Sequence, residues 1–171
     1  TNITNMLDAT YKNVFEQTYK NITKSARTGN QQIEAALVNA PQFTGVFSET
    51  YLSDAFKMVA QIIASQSNLG MNRQIFFIDY GGWDHHDELL QNQMAMLTEV
   101  DDAIGEFHTA LSSINKLDSV TTFTVSEFCR TLTSNGNGTD HAWGSNVFVM
   151  GGAVNGQRIY GEYPSLQLNG P

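Results

Sequence analysis

Three short stretches of this chain gather residues able to bind a metal or move a proton. They are Tyr80-Gly81-Gly82-Trp83-Asp84-His85-His86-Asp87, Ser126-Glu127-Phe128-Cys129-Arg130 and Gly138-Thr139-Asp140-His141, and they contain three of the four histidines. The fourth, His108, falls within a helical pattern and reads as a surface or boundary residue. Imidazole nitrogen with carboxylate oxygen suits zinc foremost, or manganese or iron, rather than the all-oxygen shells of calcium and magnesium. Asp84, His86, Glu127, Asp140 and His141 are therefore the candidate metal ligands. Glu127 doubles as a candidate general base, and Arg130 as a bidentate clamp on an anionic substrate. Each has a plainer reading. Asp84 can cap a helix starting near Asp87, and Arg130 can pair with a local carboxylate. Ser126, Asp140 and His141 have the composition of a nucleophilic triad, but Asp140 and His141 are adjacent and no Gly-x-Ser-x-Gly turn is present. Cys129 reads as a small packed residue.

Something must hold these stretches side by side. Gln74–Asp79 is a nearly continuous apolar run, the pattern of a strand buried on both faces, and Val120–Val125 is a second. Between them Leu90, Met94, Leu97, Ile104, Phe107, Leu111 and Ile114 recur three or four residues apart, predicting a helix over 87–117. Strand, helix, strand reads as a βαβ unit with parallel strands. Its ligand loops would leave from the strands' carboxyl ends, where two of the three stretches lie. A third apolar run covers Asn146–Met150, and a short strand is expected at Arg158–Tyr160. Upstream, helical spacing runs from Leu7 to about Asn39 with a bend at Thr28-Gly29-Asn30. It returns from Tyr51 to Ser67, with Gly70 as the stop. The expected fold class is thus α/β: long N-terminal helices over 1–70, then a parallel-sheet metal-site core over 71–171, in one domain.

Composition narrows the partners. The chain's 171 residues suffice for one domain with a core. Seventeen acidic residues against nine basic ones give a net charge of −8, so a nucleic acid would be repelled and is not expected as a partner. No run approaches the roughly 18 apolar residues of a membrane span. A single cysteine excludes a disulfide within the chain. Asn21-Ile22-Thr23 and Asn137-Gly138-Thr139 match the glycosylation pattern, one so short that it recurs by chance.

The three stretches resemble a family of bacterial proteins, the domain of unknown function 1501. Its members show Gly-Gly-Trp/Phe-Asp-x-His, then Ser-Glu-Phe-Gly-Arg-Thr, then Gly-Thr-Asp-His-Gly. Here these read Gly81 to His86, Ser126 to Thr131 and Gly138 to Ala142, with Cys129 and Ala142 where glycine is usual. That family in turn resembles the alkaline phosphatase superfamily, sulfatases included. The resemblance implies that His86 and His141 ligate one metal, with Asp84 or Asp79 as the carboxylate beside them. It implies that Glu127-Phe128 stands where an Asp-His pair would bind a second metal; Glu127 can ligate and Phe128 cannot. It further implies an alkaline-phosphatase-like core, hydrolysis of a small phosphate or sulfate ester, and a periplasmic or exported location. The superfamily's N-terminal aspartate and its Ser, Thr or Cys nucleophile would lie upstream. Residues 165–171 would then stop in mid-domain, so the chain is expected to be a fragment of a larger domain.

Overall fold

A computed structural model describes residues 2–162 and 165 of the chain. The described residues divide into two compact units, those up to 84 with 90–114 and those of 85–89 with the residues from 115 on.

The first unit is helical. Helix α1 spans Asn2–Asp8 and α2 spans Val14–Leu37. Asn13 caps α2, its side-chain oxygen accepting from the N–H groups of Phe15 at 2.8 Å and Glu16 at 3.4 Å. The bend expected at residues 28–30 is absent, and α2 runs through it unbroken. A lone glycine costs a helix about 1 kcal/mol, too little to end one that continues on both sides. Helix α3 spans Tyr51–Ala64 and starts at Thr50, whose hydroxyl accepts from Ser53 N–H at 3.2 Å. A short helix α4, Gln66–Leu69, closes at Gly70, whose φ of 63° lies in the left-handed region that glycine adopts without strain. Helix α5 spans Leu89–Ser113, slightly shorter than its pattern.

The unit's apolar interior falls at helical spacing. Leu52, Phe56, Ala60 and Ile63 of α3 are buried, as are Ala103, Phe107, Ala110 and Leu111 of α5. The Phe56 and Phe107 rings meet at 4.8 Å. One polar knot joins the same two helices. Ser53 donates its hydroxyl to Glu106 at 2.5 Å, and Ser48 N–H donates to the other carboxylate oxygen at 2.9 Å. Burial raises the Glu106 carboxyl, but the hydrogen bonds from Ser53 and Ser48 outweigh it and hold the group below its ordinary value.

The second unit holds all the strands found among the described residues. Strand β1, Thr122–Phe123, pairs antiparallel with β4, Val149–Met150, and β2, Cys129–Ser134, pairs antiparallel with β3, Thr139–Ala142. A 3₁₀ turn over Leu117–Ser119 precedes β1.

These pairings overturn the expected fold. Among the described residues the chain is a small α/β protein with two short antiparallel two-stranded sheets, not a parallel-sheet βαβ core of alkaline-phosphatase-like type. Residues 74–79 form no regular strand, and Ile75 is 99% and Phe77 79% exposed. Apolar content makes a segment able to join a sheet, but a strand exists only with a neighbour, and these residues have none among those described. Residues 120–125 reduce to the two-residue β1, whose partner β4 comes from the third apolar run. The strand expected at 158–160 is absent as well. Of the segment 165–171, expected to stop in mid-domain, all but Ser165 lies outside the described residues.

Candidate metal centre

Where the sequence suggested a loop after the second parallel strand and another leading into the third, the structure places a hairpin. The β2–β3 connection is Asn135-Gly136-Asn137-Gly138, with Ser134 opposite Thr139 in register. Two Asn-Gly pairs between short runs are a strong local signal for a hairpin, since both residue types tolerate the backbone angles that a tight reversal needs. Asn135 builds the turn: its side-chain oxygen accepts from Gly138 N–H at 2.8 Å and Asn137 N–H at 3.3 Å.

The hairpin brings several candidates together. Arg130 on β2 is paired in register with His141 on β3. The Phe128 ring stacks on the His141 imidazole, 4.0 Å between centroids and 10° from parallel. The Arg130 guanidinium lies 5.2 Å from the Phe128 ring centre and donates from Nη1 to Thr139 O at 2.6 Å. The His86 ring sits 5.1 Å from that of His141, tilted by 33°.

Asp84 precedes His86 by two positions in the chain, so connectivity keeps its carboxylate close to that imidazole. One ligand atom each from Asp84, His86 and His141 lie within 4.8 Å of one another, and all three residues are exposed. Two imidazoles and a carboxylate at that spacing form a donor set of the type that holds zinc or a related transition ion with further positions open. The helix-cap reading of Asp84 fails, because α5 begins at Leu89, five residues on.

The other candidate ligands are not members of this group. Asp140 is outside it and instead lies 3.6 Å from His86 Nδ1, a charge partner when that imidazole is protonated. Glu127 is exposed and also outside it. Ser126 donates its hydroxyl to Phe128 O at 2.7 Å, a local turn bond rather than part of a triad. Cys129, at the start of β2, is a half-buried free thiol.

Asp84 also sits at the end of a well-anchored stretch. Tyr80 donates its hydroxyl to Glu99 on α5 at 2.6 Å, and Trp83 Nε1–H donates back to Tyr80 O at 2.8 Å. Burial, then the hydrogen bond to Glu99 and its charge, push the Tyr80 phenol up to about 12. Sequence reasoning missed this anchor. It also missed the role of Phe128, which cannot ligate but supports a residue that can. Spacing shows neither, because both depend on contacts made only after folding.

One family profile, described as a protein of unknown function (DUF1501), matches residues 4–169. No curated protein and no solved structure matches the chain. The chain belongs to the DUF1501 family.

Proposed function

We propose that this chain carries one transition-metal centre, held by Asp84, His86 and His141, that serves the hydrolysis of small phosphate or sulfate esters. The observation carrying it is the convergence of three ligand atoms within 4.8 Å from positions 84, 86 and 141. The ester class rests on the motif order, His86 then Glu127 then His141, that resembles the alkaline phosphatase superfamily; the fold gives it no support. A bound metal would supply a Lewis acid for the ester oxygen. The chain's own residues would do the rest. Asp84, His86 and His141 bind, Asp140 biases the orientation of His86 from 3.6 Å, and Phe128 fixes the plane of His141. Glu127 is assigned the proton-accepting role.

A second reading is a metal-binding protein without turnover. It is favoured by Arg130, whose guanidinium already bonds Thr139 O and covers the Phe128 ring. Elemental analysis of the purified chain, with hydrolysis of p-nitrophenyl phosphate and p-nitrophenyl sulfate, separates the two. We expect about one zinc, manganese or iron per chain, lost in His86→Ala/His141→Ala, and a chelator-sensitive lowering of thermal stability. Ester turnover that falls in Glu127→Gln supports the hydrolase. Metal without turnover supports the second reading, and metal stoichiometry unchanged in the double variant defeats both.

A further inference from the structure

His86 and His141 are exposed imidazoles from chain segments far apart in sequence. An exposed loop histidine samples many positions, and holding two at a fixed separation costs conformational entropy that must be met by other contacts. Those contacts come from the β2–β3 turn, which reaches back onto the backbone around His86. Asn135 Nδ2–H donates to His86 O at 3.2 Å. Asn137 donates its side-chain amide to the Asp87 carboxylate. Leu89 N–H donates to Asn137 O at 3.2 Å. Three successive tethers therefore fix residues 86–89 to the strand connection that leads, three residues later, into His141.

The orientation of the first tether is determined rather than free. Asn135 uses its side-chain oxygen for Gly138 N–H and Asn137 N–H, which turns its NH₂ toward His86 O. Gly138 completes the fit. A Cβ at that position would stand 2.5 Å from His86 O and 2.6 Å from His86 C. Side-chain carbons do not come that close to backbone atoms, so any other residue would push the His86 backbone off the hairpin.

We infer that the turn Asn135-Gly136-Asn137-Gly138 is a positioning clamp for the metal centre: the Asn135 amide on His86 O, the Asn137 amide on the Asp87 carboxylate and the absent Cβ of Gly138 seat residues 86 and 87 at the distance from His141 that lets both imidazoles serve one ion. The inference deepens the metal reading above and rests on it for its purpose. The clamp's effect on ring separation is measurable without metal. Asn135, Asn137 and Gly138 touch no ligand atom, so they are positioning residues.

Two variants test it in the full chain. Gly138→Ala introduces the clashing carbon. Asn135→Asp keeps the oxygen that accepts from Gly138 and Asn137, and so keeps the turn, but exchanges the donor facing His86 O for a carboxylate oxygen. In the metal-free wild type the ring protons of His86 and His141 should share a nuclear Overhauser effect; it should weaken or vanish in both variants while the spectrum stays dispersed. Affinity for Co²⁺, followed by its visible absorption, should fall about tenfold or more, the scale of lost support around a metal ligand. For Asn135→Asp that fall would run against the attraction of the added negative charge, which a purely structural turn would let prevail. Wild-type ring contacts and Co²⁺ affinity within about twofold in both variants would overturn the clamp. If Gly138→Ala does not fold, Asn135→Asp decides alone. A wild-type chain that binds no Co²⁺ overturns the metal reading, and the ring contact then decides the clamp by itself.

Discussion

In the helical unit the residues that matter most are apolar and hidden: Phe56 of α3 against Phe107 of α5, with Leu52, Ala60, Ile63, Ala103, Ala110 and Leu111 buried on the same helices. Around the β2–β3 hairpin almost nothing is hidden. Its order comes from Asn135, Ser134 and Arg130 bonding backbone groups, from Asn137 bonding the Asp87 carboxylate, and from the Phe128–His141 stack. Apolar burial is non-directional and sums over many contacts, so it gives stability without fixing single groups to fractions of an ångström. Hydrogen bonds are each worth little net stability but fix direction. The difference teaches a division of labour. Packing supplies the free energy in one unit, and the exposed polar scaffold of the other supplies geometry to the side chains able to do chemistry.

The sharpest way to break that comparison is to remove the centre of each unit. Phe107→Ala should cost about 3–5 kcal/mol in urea unfolding of the helices, the usual cost of deleting a buried aromatic ring. A loss under about 1 kcal/mol would mean that the core lies elsewhere. Phe128→Ala should barely change that unfolding, yet weaken metal affinity by about 10–100-fold through a loosened His141. A competition titration against a zinc-sensitive chelating dye reads the second effect. If Phe128→Ala instead unfolded the protein and left affinity alone, the hairpin would be a packing element like α3 and α5.

How much of this was legible follows the same division. Helix spacing and cap residues are local, so α3, α5 and the stop at Gly70 could be read from the chain. The residue types of the candidate ligands and the family motifs were legible; the pairing of His86 with His141 came from the family resemblance. The sheet was not. Ile75, Phe76, Phe77 and Ile78 look like a buried strand because periodicity reports what a segment could bury, not whether a neighbour arrives. The hairpin had its own signal in Asn135-Gly136-Asn137-Gly138, overshadowed by the expectation of parallel strands. Phe128 was read for its failure to ligate, and its stacking on His141 had no trace in the spacing.

The polar knot between α3 and α5 offers a smaller test inside the apolar unit. Glu106 has its pKa lowered in the folded chain. The stability it contributes is therefore present above the unfolded carboxyl value and lost as pH falls through the folded one. Glu106→Gln should remove that part of the acid sensitivity below about pH 4.5 and cost roughly 1 kcal/mol near neutrality, discounted for solvent screening. Acid unfolding curves that superimpose for the two proteins would show that the knot contributes no pH-linked stability.

The smallest expected effect lies at Tyr80, which anchors the stretch leading to Asp84. Its phenol is raised to about 12, first by burial and then by Glu99, so the folded state favours the neutral form. That contribution is complete below the unfolded phenol value near 10 and disappears as pH rises through about 12. Ultraviolet titration of phenolate should show a step near pH 12, and Tyr80→Phe should delete that step. The substitution should cost about 1 kcal/mol or less, since Glu99 can turn to solvent once its donor is gone. Because the anchor precedes Asp84 by only four residues, Tyr80→Phe should also loosen Asp84 more than His141. Carboxylate-dependent metal affinity would then drop slightly while the His86–His141 ring contact persists. Loss of both together would mean that the Tyr80–Glu99 bond does not act through Asp84 alone, and that the anchor is not the local device its geometry describes.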